Sequence, residues 1–452
     1  MNARTPQSTI HSSNVRLLRA ATAALAILTL STSATHSSAV FKDEFRVNAI
    51  TAGRQYHGAV AADEQGRFAV VWESDVNGDF DAMIRCFDAD GNPMSIEKPI
   101  HDSLIDHQRL PFVASDKSGR YIVTWSDGTE SEKNLRQRVF DSATCTPLAG
   151  PEGDETTINV DLIPGHTAAA LAAFEEGPHH GRWVVFWPQW IVHNQEAELL
   201  ARLYEADGTP MTDPVRVNQA DSIAQAPHLP IPDDTCTMAG EDLPCLKVAP
   251  TVAVDELGNA FFAWEHWDSQ SLIRARRMNL IEDTAEDEVE INPTTDPEVY
   301  SRRPGVAVSP CGDSAYLVYT ELKASHPDPR DGRSYYVKWE NGQWDTTHWS
   351  IPESGPAGVH KPYVRMAPPD PITGDELVFV GWTHEHSDLF LRIEDPEVGE
   401  LGTIKVNTST EKTRQRMDFS ATEFDGEARF VACWESYQET GTFDMFCKIY
   451  RY

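Results

Sequence analysis

Four short stretches of this sequence bring acids, histidines and tryptophans close enough together to act on one ligand. They are Trp264-Glu265-His266-Trp267-Asp268, Trp187-Pro188-Gln189-Trp190 with His193, His384-Glu385-His386, and the loop Asp75-Val76-Asn77-Gly78-Asp79-Phe80-Asp81. An aromatic face stacks on the C–H face of a sugar while neighbouring acids accept its hydroxyls. Trp190, His193, His266, Trp267, His384 and His386 are therefore candidate ligand-binding residues. Two suitably separated carboxyl groups suffice for glycoside hydrolysis, and Glu265, Asp268, Glu321 and Glu385 are the acids such an enzyme would use. His384 and His386 alternate, so both could leave one side of a strand and share a metal with an acid. Asp75, Asn77, Asp79 and Asp81 alternate oxygen ligands in a glycine-containing loop, which suits calcium. Phe80 stands where such a loop usually has glycine, and no glutamate follows at its twelfth position. Each stretch also has a plain structural reading: tryptophans packed on a neighbouring repeat, histidines in a solvated loop, a polar hairpin. No cofactor is obligatory, and calcium is the one these residues could take.

These residues follow a strand that recurs. Arg67-Phe68-Ala69-Val70-Val71-Trp72-Glu73 returns as Tyr121–Trp125, Trp183–Trp187, Phe261–Trp264, Tyr316–Tyr319, Val378–Trp382 and Phe430–Trp434, with closing aromatics 52 to 77 residues apart. Short apolar runs without strict alternation read as strands buried on both faces, and a period of this size means a repeat architecture. Upstream of each stands a small apolar segment, often opened by proline, as in Pro111-Phe112-Val113-Ala114 or Pro250-Thr251-Val252-Ala253. Between the two lies an Asp-x-x-Gly turn such as Asp63–Gly66, Asp116–Gly119 or Asp255–Gly258, where glycine supplies the positive φ of a tight connection. A third strand carrying one basic residue follows (Arg85, Arg138, Arg202, Arg276, Lys338, Arg392, Lys448). A fourth segment often ends in a pair such as Ile158-Asn159, Val217-Asn218, Ile291-Asn292 or Val406-Asn407. Four strands in each of seven units predict an all-β fold, a seven-bladed β-propeller. The chain ends after the third strand of the seventh unit, and Phe45-Arg46-Val47-Asn48 has the form of the missing fourth strand. It is expected to complete the last blade and close the ring, removing two exposed edges. The basic residue, repeated in every unit, is expected to make a scaffold contact.

The first 39 residues carry Arg4, Arg16 and Arg19 and no acid, then an apolar run too short to span a bilayer. They read as a secretory signal peptide cut after Ala39, leaving residues 40–452 as one propeller domain. The expected product is a soluble protein, periplasmic or extracellular, with no membrane insertion. With 70 acidic against 38 basic residues and a net charge of −32, nucleic acid is a poor partner. Export permits disulfides. Cys236–Cys245, inside the long insertion 219–248, and Cys433–Cys447, on neighbouring strands, are the candidate pairs; Cys86, Cys145 and Cys311 have no assigned partner.

The order Val-Asn, Pro-x-Val-Ala, Asp-x-x-Gly, Val-Val-Trp-Glu-Ser and Arg-x-Phe-Asp resembles the propeller repeats of bacterial secreted and surface proteins. That resemblance spans nearly the whole mature chain and implies the fold. A weaker resemblance to sialidase-type propellers stops at the turn, which lacks the Ser-x-Asp-x-Gly-x-Thr-Trp pattern, and at the blade count, where six would be expected. Propellers generally bind ligands on the face formed by the connections from second to third strand and from blade to blade. The leading functional expectation is a binding module for carbohydrate or an extracellular protein. The alternatives are a polysaccharide-acting enzyme, glycoside hydrolase or lyase, and a structural envelope protein with calcium in its loops.

Overall fold

The computed structural model describes residues 39–451, except 77, 104–105, 130–131, 164–167, 193–195, 220–223, 226–249, 269, 294–295, 297, 324–331, 352–358, 368–376, 385–387, 396–398, 409–413 and 439–440. The predicted signal peptide up to residue 38, His193, Asn77, Glu385, His386, Cys236 and Cys245 therefore lie outside the described residues. The described chain forms seven antiparallel sheets, each built on four strands, in sequence order in six of them and with the N-terminal strand as the fourth in the seventh. The first strands are Gln55–Ala62, His107–Ser115, Ala170–Ala173, Thr251–Val254, Val299–Val308, Val359–Ala367 and Arg414–Phe424. Each lies against the first strand of the blade before and the blade after, and Arg414–Phe424 lies against Gln55–Ala62. The inner strands thus close into a ring, a seven-bladed propeller.

Closure occurs where the sequence places it. Ala39–Arg46 pairs antiparallel with the C-terminal strand Phe443–Arg451, completing blade 7 from the other end of the chain. The second strands are the buried ones: all seven residues of Phe68–Ser74 are buried, and so are the closing aromatics Trp72, Trp125, Trp187, Trp264, Tyr319, Trp382 and Trp434. β-branched and aromatic side chains fill both faces of these strands because a blade is covered by a neighbour on each side.

The repeated polar residues stitch these layers together. In blades 1 to 4 the third-strand arginine crosses to the preceding blade and donates to the carbonyl before its Asn or His. Arg85 reaches Val47 O at 2.6 Å, Arg138 Ile100 O at 3.2 Å, Arg202 Ile158 O at 3.1 Å and Arg276 Val217 O at 2.6 Å. Blade 7 makes the same link with a phenol, Tyr450 donating to Val406 O at 2.8 Å. The asparagine that follows that carbonyl works within its own blade. Its Oδ1 accepts a third-strand N–H: Asn159 from Leu135, Asn218 from Leu199, Asn292 from Ile273, Asn407 from Leu389 and Asn48 from Met445. Short outer strands such as Val215–Arg216 are held this way where ladder bonds are few. In the Asp-x-x-Gly turns, Asp63 Oδ1 accepts from Gln65 and Arg67, and Asp116 Oδ1 from Ser118 and Arg120. Gly66 takes φ of 71° and Gly258 of 91°.

Among the described residues two disulfides are formed. Cys433–Cys447 joins directly opposed residues of blade 7. Cys86–Cys145, which the sequence left unpaired, ties the third strand of blade 1 to the turn after the third strand of blade 2. Among the described residues no helix is long and apolar enough to cross a membrane. Asn48 offers the clearest test of the stitching, since its amide also donates to Asp444 Oδ1 at 2.7 Å across the closing seam. Asn48→Ala leaves the Met445 N–H buried without that acceptor and is expected to cost about 2 kcal/mol. The urea midpoint should fall with the slope unchanged, while Asn92→Ala, on an exposed turn, should leave it in place.

Candidate functional site

The glutamate after the closing tryptophan reaches the next blade. Inner strands carry a register shift near their N-terminal ends, between Tyr56 and Ala59, Arg109 and Phe112, and Arg302 and Gly305. The bulge residues His57, Leu110 and Arg303 have φ of 57°, 53° and 56°, a region that costs a non-glycine residue about 1–3 kcal/mol. Each bulge N–H donates to a carboxylate of the preceding blade: His57 to Glu435 at 2.9 Å, Leu110 to Glu73 at 2.6 Å and Arg303 to Glu265 at 2.6 Å. A hydrogen bond to a charged acceptor contributes about 1.5–3 kcal/mol, enough to offset the strain. Glu265, Glu73 and Glu435 are buried, so their carboxylates are held by the scaffold.

Around these anchors that end of the ring gathers polar groups. Glu73 also accepts from Arg109 Nε at 3.2 Å and holds His57 Nδ1 at 2.7 Å. Arg109 lies over the Phe80 ring at 4.0 Å from its centroid and beside the Tyr56 hydroxyl at 3.4 Å. Deeper, Asp418 of blade 7 accepts from Val60 N of blade 1 at 3.0 Å and from Arg365 of blade 6 at 2.9 Å. The Tyr363 phenol lies within electrostatic reach of Asp418, Glu435, Arg303 and Arg365, and burial chiefly pushes its pKa above the usual phenol value. Toward the other end, Lys117 donates to Ala62 O and Ala421 O and faces Glu175 at 3.7 Å. Glu175 is exposed, with 52% of its side chain accessible.

The residues singled out by sequence fall elsewhere. Trp190 is 3% exposed, packed in the core that joins blades 2 to 4, and does not present its indole to solvent. His266 is buried, and Trp267 and Asp268 end the strand Asn259–Asp268 with backbone pairs to Ser271 and Gln270. His384 is partly exposed, edge-on to Phe390 at 6.1 Å. Asp75 is engaged by Arg54, whose Nε lies at 2.6 Å; Asp79 faces His107 at 3.8 Å and Asp81 faces His101 at 3.6 Å. Among the described residues no group of three or more His, Cys, Asp or Glu converges as a metal site. Burial raises the Glu321 carboxyl above the ordinary 4.5, opposed by Asn292 and Arg333. The axial residues His57, Tyr363, Arg365 and Asp418 were missed. For His57 the signal was the bulge position, His57-Gly58 standing where blade 2 has Leu110-Pro111.

Fold and ring define the class, a seven-bladed β-propeller. Neither a protein-family model nor a curated protein matches the sequence. Solved structures do match in fold. The polysaccharide lyase Uly1 has 9% identity and a TM-score of 0.51, covering 94% of this chain and 95% of that one. A protein of unknown function from Dyadobacter fermentans DSM 18053 has 10% identity and a TM-score of 0.50 over 92% and 99%. At such identities the likeness is one of fold.

Two predictions separate scaffold from chemistry. Glu265→Ala removes the acceptor of the Arg303 N–H and is expected to cost about 2–4 kcal/mol in urea unfolding, with Glu265→Gln recovering much of the loss because an amide oxygen still accepts. A catalytic role alone would leave stability unchanged in both. Because Glu321 has a raised value, the folded state holds its proton more tightly than the unfolded chain, a contribution present at low pH and lost as pH rises through the folded value. Glu321→Gln should therefore gain stability over the parent at pH 7, the gap closing as pH falls towards 4.5.

Proposed function

We propose that the protein is an exported carbohydrate-binding propeller that takes its ligand at the axial mouth. The observation carrying this reading is the Arg365–Asp418 pair at 2.9 Å near the half-buried Tyr363, whose phenol also lies within electrostatic reach of Arg303 and Glu435. Sugar hydroxyls donate and accept at once, so fixed pairs of guanidinium and carboxylate match them, and an aromatic face takes the C–H side. Two disulfides support an oxidising compartment. The fold is shared with the polysaccharide lyase Uly1, which supports a carbohydrate partner.

One observation favours a second reading, a polysaccharide-acting enzyme. Held through Nδ1 by buried Glu73 at 2.7 Å, the His57 imidazole is anchored as a general base would be. A polysaccharide binding screen on the full chain, with product release followed in the same wells, tests both. Binding without turnover, weakened at least ~10-fold by Arg303→Gln, is the expected result. Turnover lost in His57→Gln would make the protein an enzyme, and silence in every well would redirect the search to an extracellular protein partner.

A further inference from the structure

On the outer wall of blades 3 and 4, part-exposed acids are held by bases: Arg182 pairs with Glu205 at 2.9 Å, Arg216 with Glu198 at 3.0 Å and Arg277 with Glu286 at 2.6 Å. Asp213 and Asp283 are exposed and have no such partner among the described residues. Both line one cleft of about 390 Å³ between blades 3 and 4. Small-ligand and side-chain clefts typically measure about 300–1,000 Å³, with apolar walls and a few polar groups that set orientation. Met278 and Leu280 supply the floor; they are 7% and 8% exposed and belong to the core that joins blades 2 to 4, so the floor is fixed. Pro214 and Val215 line the side of blade 3, and Ile281 and Ala285 that of blade 4. No basic residue lines the cleft among those described. Arg276, two residues before Met278 on the same strand, is committed to Glu286 O at 2.7 Å and Val217 O at 2.6 Å. The cleft sits where the third strand of blade 4, Gln270–Asn279, turns into its outermost strand, Thr284–Ala285. That is the end opposite the inner-strand bulges, because first and third strands of a blade run the same way.

We propose that this cleft docks an extended basic peptide segment of a partner protein, taking a lysine side chain with its stem on Met278 and Leu280 and its ammonium at Asp213 and Asp283. Lysine is an apolar stem ending in a compact charge, and an apolar floor under an acidic rim is its complement. Two unpaired carboxylates with no base beside them repel acidic peptides and uronates alike. The net charge of −32 adds attraction at longer range for a basic partner. A peptide fits better than a free amine because Thr284–Ala285, which pairs with Asn279 and Met278, is the last strand of its sheet. Its outer edge can take the backbone of an added strand. The site lies away from the axial mouth and stands or falls separately from the carbohydrate reading.

NMR of the full chain carrying methyl-labelled methionine reads the floor directly, the Met278 signal being the one lost in Met278→Leu. Titration with acetyl-Ala-Lys-Ala amide at low ionic strength should move that signal saturably. The norleucine counterpart, which keeps the stem and lacks the ammonium, should bind at least ~10-fold more weakly, and the glutamate counterpart should leave the signal in place. Asp213→Asn combined with Asp283→Asn should weaken the lysine peptide at least ~10-fold with the melting temperature held. Both side chains are exposed, and asparagine tolerates the φ of 53° at position 283. Axial Arg303→Gln should leave the titration unchanged. No saturable shift at Met278, equal affinity for the norleucine peptide, or full binding in the double variant would overturn the site.

Discussion

The bond from an inner-strand bulge N–H to a glutamate of the preceding blade is the contact on which the rest of this ring depends. A first strand in a propeller has a neighbour within its blade on one side only, so the N–H groups on its other edge must find acceptors or face the axis. Glu73, Glu265 and Glu435 meet that need at three seams, and they do so at residues whose backbone adopts a sparsely populated conformation. Closing aromatic and acid then act as one unit: Trp72, Trp264 and Trp434 fill the space between sheets, and the next residue turns outward to hold the neighbour.

The seam between blades 7 and 1 carries the most such bonds among those described, and it is also the seam where the chain's two ends meet. Glu435 takes the His57 N–H, Asp418 the Val60 N–H and Ser420 the Ala62 N–H, all on one edge of one strand. Ala39–Arg46 closes the same blade on its outer side, with Asn48 bonded to Met445 and Asp444. A ring closed by noncovalent pairing of its ends must resist opening there first, and the polar stitching is densest where that load falls. The Cys433–Cys447 bridge lies in the same blade.

Much of this was legible in the sequence because it repeats. The buried second strand, the Asp-x-x-Gly turn and the third-strand base recur often enough to be read without coordinates, although the expected shared contact of that base holds only for the arginines of blades 1 to 4, while Lys338, Arg392 and Lys448 pair with other groups; the closing strand was legible as the one fourth strand missing from the last unit. What stayed hidden depends on contacts between residues far apart in the chain. The Trp-Glu pairs read as exposed acids at the ligand face, since nothing local to Glu265 announces a strained N–H 38 residues away. Cys86 and Cys145 sit in neighbouring units at unlike positions, so no repeat pairs them. Trp190, in a tryptophan-rich run, looked exposed and is core.

The bulge also explains how a rigid repeat leaves room for function. The glutamate answers a demand of the backbone, and it answers it equally for His57, Leu110 and Arg303, an imidazole, an aliphatic chain and a guanidinium. Conformation at that position is therefore set by the preceding blade and places little constraint on the side chain, which stands at the axial ring. Blade 2 uses the freedom for an apolar plug, with Leu110 buried. Blades 1 and 5 use it to bring an imidazole against Glu73 and a guanidinium within reach of Tyr363. Variation confined to such positions can change what the mouth binds while the hydrogen bonds that close the ring stay the same.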